Sequence, residues 1–171
     1  METRRQFLSI AATTVGLTPI VAWLGCPMRD GPTIMGESDP PFPVEKSDAE
    51  WRTNLTPQQY RVLRARGTER AFTSPLNDEK RRGTFVCTAC GQSLFSSATK
   101  YDSRTGWPSF WKPLDGAVGT SIDRSLFIMR TEVHCVRCGG HLGHMFYDGP
   151  RPTGQRYCIN GEAVTFNPER S

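Results

Sequence analysis

The stretch RTEVHCVRCGGHLGHMFYD, residues 130–148, decides the fold of this chain. It places strand-like sequence on both sides of a Cys-x-x-Cys-Gly turn: one predicted strand runs over 125–135, and the next resumes at His144. The other segments of the same kind, separated by turns that contain glycine or proline, lie at 84–87, 93–97, 116–122, 155–159 and 163–167. Many short strands with no helix between them predict an antiparallel β domain, either a barrel or a sandwich.

Helices are predicted only before these strands. Ser47 and Glu50 fit a capping box, so a first short helix is expected to begin there. In the segment LTPQQYRVLRARG, Thr56 suits the N-cap and Pro57 the first helical position, and Gly67 is predicted to close this second helix.

The Cys-x-x-Cys-Gly turn has a counterpart earlier in the chain. Cys87 and Cys90 form one pair and Cys135 and Cys138 the other, and each pair is followed directly by glycine. Two thiolates on such a turn can point at one ion, and two turns complete a closed site of four cysteines. This arrangement predicts a structural zinc ion, with His134 as a bystander. Disulfides, redox-active Cys-x-x-Cys motifs and iron in place of zinc are the alternatives.

Assigning four of the six cysteines to a metal leaves Cys26 and Cys158. In RYCIN, strand alternation puts Arg156, Cys158 and Asn160 on one face and apolar residues on the other. A guanidinium two residues away favours the thiolate, which is the nucleophilic form. A buried structural cysteine is the alternative, but we would expect it on the apolar face.

Two histidines and an aromatic loop complete the candidate residues. His141 and His144 lie in HLGH, and histidine is the usual acid–base group near neutral pH, although surface histidines are also common. Trp107 lies in GWPSFW, residues 106–111, on a loop rich in glycine and proline. Aromatic residues there form either a corner of the core or one wall of an apolar pocket.

Taken together, these motifs resemble the methionine-R-sulfoxide reductases, the MsrB family. The similarity runs in order through LTPQQYRVLRARGTERAF, the first cysteine pair, LFSSATKYDSRTGWPSFW and RTEVHCVRCGGHLGHMFYDGPRPTGQRYCIN, and covers residues 48–168. It implies a mainly β fold, in which two antiparallel sheets form an open barrel with a structural zinc ion. It also implies reductant-dependent conversion of peptide- or protein-bound methionine R-sulfoxide into methionine.

The resemblance also implies a role for each candidate residue. Cys158 is the implied nucleophile, which becomes a sulfenic acid as methionine leaves. Trp107 is implied to form the pocket for the S-methyl group of the substrate. The residues implied to bind and protonate the sulfoxide oxygen, directly or through water, are His141, His144 and Asn160.

This chain departs from one branch of the family at the position of a second cysteine. Many members place a resolving cysteine in the loop just before GWPSF, where this chain has Thr105. We therefore expect Cys158 to be regenerated by an external reductant, either a thioredoxin-like protein or a small thiol. The alternative is that Cys26 survives processing and reaches the site. The resemblance also implies that Arg156 supports the Cys158 thiolate. A smaller departure is Gly161, where serine is frequent.

The N-terminal part of the chain predicts export. Residues 1–27 combine a pair of arginines with a chargeless apolar segment, which is typical of a twin-arginine signal. An uncleaved membrane anchor and lipidation of Cys26 are the alternatives. Residues 28–47 are rich in proline and glycine and are predicted to be a flexible linker to a catalytic domain at 48–168. The expected location is periplasmic, or membrane-associated outside the cytoplasm.

Charge and composition restrict the expected partners. The net charge is +4, and the basic residues are scattered apart from one short run at 80–82 that follows two acidic residues. Such a run is typical of a solvated turn, so we expect no nucleic-acid partner. We expect a monomer that acts on oxidised protein substrates. The main alternative is a zinc-stapled binding module without catalysis, which would not need Cys158, the two histidines and Trp107 together.

Overall fold

The computed structural model describes residues 42–125 and 129–170. The predicted export signal, Cys26 and residues 28–41 of the predicted linker lie outside the described residues, as do residues 126–128 of the strand predicted over 125–135. Within the described ranges, no helix has the length and apolar character needed to cross a membrane.

Two short helices come first, as predicted. Helix α1 spans Asp48–Asn54 and helix α2 spans Pro57–Leu63. Helix α1 begins at the predicted capping box of Ser47, and Thr56 is the N-cap of α2. The two helices are therefore started by local hydrogen bonds that the sequence encodes directly.

The predicted end of α2 was wrong. The helix ends at Leu63, and its C-cap is Arg64 rather than Gly67. The chain then turns through Arg66, which has a φ of 53°, and the Gly67 N–H donates to the Arg61 carbonyl at 2.8 Å. Gly67 belongs to the turn that follows the helix, because an arginine already takes the left-handed conformation that glycine was expected to supply.

Nine strands lie in the described ranges and form two sheets in which every pairing is antiparallel. The smaller sheet has the order β2-β1-β9 and the larger the order β3-β4-β8-β7-β6-β5. The strands are β1 Gly83–Cys87, β2 Ser93–Ser96, β3 Lys100–Tyr101, β4 Ser109–Phe110, β5 Val118–Asp123, β6 Arg130–Cys135, β7 His141–Phe146, β8 Arg156–Ile159 and β9 Val164–Pro168. The predicted fold class of two antiparallel sheets forming an open barrel is confirmed.

Two features of the larger sheet differ from the sequence-based prediction. Strands β3 and β4 were missed, because each is only two residues long and β4 lies inside the glycine- and proline-rich aromatic loop. Strand β7 begins at His141 rather than at His144, so both histidines lie on a strand.

An aromatic core joins the two sheets and fixes the strands that carry the candidate residues. The ring of Phe110 on β4 stacks on Phe95 of β2 with centroids 4.4 Å apart, and it meets Phe85 of β1 edge-on at 4.9 Å. All three side chains are fully buried. Burying each such side chain contributes about 2–3 kcal/mol, so the core-facing side of the larger sheet is held firmly and its other face is left for polar residues.

Candidate active site

One row of paired residues crosses the larger sheet and carries most of the candidate residues. Residues that lie directly opposite each other in an antiparallel pair point to the same face of the sheet. The row runs, from β3 to β5, through Tyr101, Ser109, Cys158, His144, Glu132 and Ser121. The sheet therefore brings a thiol, an imidazole and a carboxylate, which come from distant parts of the sequence, together on one face.

Cys158 occupies the middle of this row. The alternation predicted for RYCIN is present, since Tyr157 and Ile159 are buried in the core and Cys158 is only partly buried on the opposite face. Burial raises the pKa of the Cys158 thiol, although a hydrogen bond from Thr105 and the charge of Arg156 act in the opposite direction. The Thr105 hydroxyl oxygen lies 3.9 Å from the Cys158 sulfur. The net effect favours the neutral thiol, so Arg156 alone does not produce a thiolate.

Arg156 is committed to another partner. Its Nε and one terminal nitrogen donate to the two carboxylate oxygens of Asp148, both at 2.8 Å. Its guanidinium also lies over the ring of Phe146, 4.4 Å from the centroid. This bidentate pair fixes the Arg156 side chain against the sheet, and the guanidinium in that position still lowers the Cys158 pKa, although by less than burial raises it.

A cavity of about 120 Å³ opens beside the Cys158 thiol. Its aromatic wall consists of Trp107 and Phe146, and its polar wall includes His144 and Asn160. The remaining lining residues are Thr68, Arg130 and Gly143. A water molecule takes up about 30 Å³ in the liquid, so the cavity has room for the end of a small side chain but not for a folded segment.

A single residue, Glu69, holds two of these lining side chains. Its carbonyl accepts from the Trp107 indole N–H at 3.2 Å, and its N–H donates to the Asn160 side-chain oxygen at 3.0 Å. Its buried carboxylate accepts from the backbone N–H groups of Gly161 and Glu162 at 2.6 and 2.9 Å. Sequence reasoning missed Glu69, since a glutamate in GTERAF carries no signal that it will be buried.

The second hydrogen-bonding group of Asn160 is also committed. Its Nδ2 donates to the Leu142 carbonyl at 3.0 Å. With its oxygen bonded to Glu69, the amide has a fixed orientation and one N–H left to donate. Asn160, which lines the cavity, therefore has one N–H that these two bonds do not use.

Each histidine has its own carboxylate partner, although only one histidine lines the cavity. His144 Nε2 lies 2.8 Å from Asp123 Oδ2, which leaves Nδ1 for a ligand. Burial lowers the pKa of His144, against the effect of Asp123. His141 Nδ1 lies 2.8 Å from Glu132 Oε1, and its ring meets that of His144 with centroids 5.3 Å apart. His141 is almost fully buried and does not line the cavity with His144.

The four predicted metal ligands lie together. The sulfurs of Cys87, Cys90, Cys135 and Cys138 are all within 4.8 Å of one another. Sulfur–sulfur distances of 3.7 Å, between Cys87 and Cys138, and 3.6 Å, between Cys90 and Cys135, match those of a tetrahedral zinc ion with bonds of about 2.3 Å. They are too long for disulfides, and the five cysteines in the described ranges are all free. The residues present therefore fit a four-coordinate metal ion.

The glycine that departs from the family pattern has a local explanation. A Cβ added at Gly161 would lie 1.9 Å from the Ser74 hydroxyl oxygen and 3.2 Å from a Glu69 carboxylate oxygen. The Ser74 side chain thus occupies the space that a larger residue at position 161 would need. Gly161 is not among the residues that line the cavity, and the neighbouring Asn160 keeps both of its hydrogen bonds.

Comparison with known proteins gives a consistent result. The SelR domain matches residues 55–168. The peptide methionine sulfoxide reductase MsrB of Leptospira interrogans serogroup Icterohaemorrhagiae serovar Lai (strain 56601) is 56% identical over 129 residues, covering 75% of this chain and 98% of that protein. The protein of the same name from Methanosarcina mazei is 54% identical over 127 residues, covering 74% of this chain and 91% of that protein. The one from Agrobacterium fabrum is 52% identical over 126 residues, covering 73% and 93%.

The fold, the site and the domain match define a member of the SelR-domain family. Within that family, the chain belongs with the peptide methionine sulfoxide reductases named MsrB. The family predicted from the sequence motifs is thereby confirmed.

Proposed function

We propose that this protein reduces methionine R-sulfoxide in peptides and proteins to methionine, with Cys158 as the nucleophile. Membership of the MsrB family makes it a peptide methionine sulfoxide reductase. The observation that carries the assignment of residues is the cavity in which the Cys158 thiol meets an aromatic wall and a histidine–asparagine wall.

The two walls suit the two ends of a methyl sulfoxide. The methyl group, polarised by the neighbouring sulfoxide, packs against the face of Trp107. The oxygen turns towards His144 and towards the remaining N–H of Asn160. Placing methyl and oxygen on different walls fixes the configuration at sulfur, and this is how the cavity would select one epimer. The cavity volume fits the end of a methionine side chain presented by an extended or mobile segment.

The reaction then exchanges one oxygen between two sulfur atoms. The Cys158 thiolate attacks the sulfoxide sulfur once the sulfoxide oxygen is protonated. The attack joins the two sulfur atoms. Transfer of the hydroxyl group to the Cys158 sulfur then breaks both this bond and the sulfur–oxygen bond of the substrate, and leaves Cys158 as a sulfenic acid. The substrate sulfur gains two electrons and the cysteine sulfur loses two, so the products are methionine and Cys158–SOH.

Proton transfer links the thiol to the oxygen. Burial raises the pKa of Cys158 and lowers that of His144, so both groups are neutral before substrate binds. We propose that His144 accepts the thiol proton and delivers it to the sulfoxide oxygen, which makes the nucleophile and the electrophile reactive in the same step. His141 acts through His144 rather than on the substrate, since it does not line the cavity.

Regeneration requires two electrons from outside the domain. The loop position that could hold a resolving cysteine is occupied by Thr105, and every other cysteine in the described ranges belongs to the metal cluster. Two thiols of a thioredoxin-like protein or of a small-molecule reductant convert Cys158–SOH into Cys158–SH, water and a disulfide of the reductant.

A zinc ion is proposed for the cluster of four cysteines, because thiolate ligands at these separations suit zinc. A closed set of four protein ligands leaves no position for substrate, so the ion would be structural. Iron in the same site is the alternative, and metal analysis of the purified protein distinguishes the two.

We propose that the protein works as a monomer outside the cytoplasm, in the periplasm or at a membrane surface. The support for this location is the sequence of residues 1–27, with its arginine pair and apolar segment. N-terminal mass analysis of the protein recovered from cells tests this proposal. An unprocessed, unmodified N-terminus on protein found only in the cytoplasm would contradict it.

Activity on isolated epimers tests the proposed function. The purified protein is incubated with dithiothreitol and each epimer of a blocked methionine sulfoxide, and methionine formation is measured. We expect reduction of the R epimer, loss of activity in Cys158→Ser, and full activity in the control Cys26→Ser. If neither epimer is reduced, or if Cys158→Ser is as active as the parent, the chain is better explained as a zinc-stapled binding module.

A further inference from the structure

Glu132 is a buried carboxylate that the proposed reaction does not use directly. It lies in the middle of β6, and only 2% of its surface is exposed. A carboxylate in such a place is tolerated when it is fully hydrogen-bonded. Its Oε1 lies 2.8 Å from His141 Nδ1, and its Oε2 accepts from the Ser121 hydroxyl at 2.9 Å. The guanidinium of Arg66 lies 3.4 Å from the same Oε2.

These contacts determine the protonation state of Glu132. Burial raises its pKa, but the hydrogen bonds from His141 and Ser121 and the charge of Arg66 outweigh burial and hold the pKa at about 2. Glu132 is therefore ionised at neutral pH, and an ionised carboxylate can only accept hydrogen bonds. His141 must then carry its proton on Nδ1, and its Nε2 is the open nitrogen.

The bond to Glu132 also determines where the His141 ring lies. His141 is 3% exposed, and its Nε2 is buried with no hydrogen-bond partner among the described residues. Its ring meets that of His144 edge-on, at 66° between planes and 5.3 Å between centroids. His144 lines the substrate cavity and is paired with Cys158 across β7 and β8. Contacts thus run from Glu132 through His141 to His144, which is the ladder partner of Cys158 and lines the same cavity.

We propose that Glu132 is a positioning residue for the reductase reaction. It locks His141 in the Nδ1–H tautomer and holds that ring against His144. His144 is thereby kept facing Cys158 and the substrate oxygen. The proposal rests on the proposed function. The strand register alone does not reveal the hydrogen bond between Glu132 and His141, because Glu132 lies opposite His144 in the ladder of β6 and β7. Ser121 and Arg66 complete the device by fixing the far oxygen of the carboxylate.

Glu132→Gln tests the proposal, because it preserves size and shape while it removes the charge that dictates the tautomer. We expect the rate of a single turnover without reductant, measured as methionine formed per enzyme, to fall about 10- to 100-fold, with little change in KM. The matched control is Glu79→Gln, which removes an arginine-paired carboxylate that does not line the cavity and whose pKa is also about 2. It should leave the rate unchanged.

A second measurement does not depend on activity. Imidazole ¹⁵N NMR of the parent should show His141 protonated at Nδ1 and unprotonated at Nε2, and Glu132→Gln should lose this single pattern. Should Glu132→Gln not fold, Ser121→Ala removes one hydrogen bond to the carboxylate and is expected to slow the first turnover several-fold.

The outcomes separate this inference from the proposed function. If the parent reduces neither epimer, the proposed function itself is wrong. If the parent is active and folded Glu132→Gln turns over at the parental rate, Glu132 has a structural role only and the positioning proposal is wrong. A parent spectrum with the His141 proton on Nε2 would also overturn it.

Discussion

Cys158 is buried enough to form one side of the cavity, yet the proposed reaction requires it to act as a thiolate. Burial raises the pKa of the thiol by more than Arg156, which is paired with Asp148 at the same time, lowers it. Thr105, whose hydroxyl lies 3.9 Å from the sulfur, also lowers this pKa without overcoming burial. At the scale of single residues, these contacts favour the neutral thiol, and this is why the proposed reaction needs His144 to accept its proton.

Under the proposed mechanism, Thr105 leaves Cys158 to be regenerated from outside, and one substitution should change this. We expect Thr105→Cys to form a disulfide with Cys158 after one turnover, because the introduced thiol would lie near the sulfenic acid and can displace its oxygen as water. The measurement is intact mass and free-thiol count after exposure to methionine sulfoxide without reductant. The variant should lose one pair of thiols, whereas the parent should retain a sulfenic acid that a trapping reagent labels.

Ser103→Cys is the matched control for this substitution. Ser103 lies in the same loop, but its hydroxyl bonds to Thr105 and Ser109 rather than to Cys158. We expect no rapid disulfide in this control. Equal rates of disulfide formation in the two variants would show that the loop moves freely and that the contact of Thr105 with Cys158 has no special role.

At the scale of strands, the sequence predicted which face of a strand a residue takes better than it predicted which strands pair. The alternation in RYCIN correctly separated Cys158 from Tyr157 and Ile159, because a strand's period of two is a local property. Which strands lie beside β8 is set by long-range pairing, so the row through Ser109, Cys158 and His144 had no local signal.

Buried and partly buried carboxylates were the other feature that sequence reasoning could not find. Asp123, Glu132 and Glu69 are bonded to partners on other elements, and each looks like an ordinary surface acid in the sequence. The four metal cysteines could be found, because each pair is defined within one turn. The same contrast explains why the capping box at Ser47 was predicted correctly while the short strands β3 and β4 were missed.

Glu132 ties β5, β6 and β7 together, and this makes their stability depend on pH. Its pKa is lowered from 4.5 to about 2, so its stabilising effect is complete above about pH 4.5 and is lost as the pH falls towards 2. The free energy of unfolding should exceed that of Glu132→Gln by roughly 3 kcal/mol at most at pH 7. The difference should shrink below about pH 4.5, and denaturant unfolding of both proteins at several pH values measures it.

Acid would also protonate the thiolates that hold a metal ion in the cysteine cluster. The informative quantity is therefore the difference in free energy of unfolding between the parent and Glu132→Gln. Both proteins keep the four cysteines, so loss of metal affects them equally. A difference that stays constant between pH 7 and pH 3 would show that ionisation of Glu132 does not stabilise these strands.

At the scale of the whole molecule, the cluster of cysteines joins the two sheets. Cys87 ends β1 in the smaller sheet, and Cys135 ends β6 in the larger one. The aromatic core is a second connection, in which Phe110 of the larger sheet contacts Phe85 and Phe95 of the smaller one. A metal ion in the cluster would therefore support the domain as a whole, whereas no cysteine of the cluster lines the substrate cavity.

Removing the metal should consequently reduce stability far more than it reduces the chemistry of folded molecules. We expect Cys87→Ser, or prolonged treatment of the parent with a chelator, to cost several kcal/mol of stability and to lower the Tm by about 10 °C or more. Zinc content is measured by elemental analysis and unfolding by circular dichroism. Cys158→Ser is the control, since it keeps all four ligands and should retain both zinc and the parental Tm. A stable Cys87→Ser protein with near-stoichiometric zinc would mean that the metal is held elsewhere or that the site has fewer ligands than the geometry indicates.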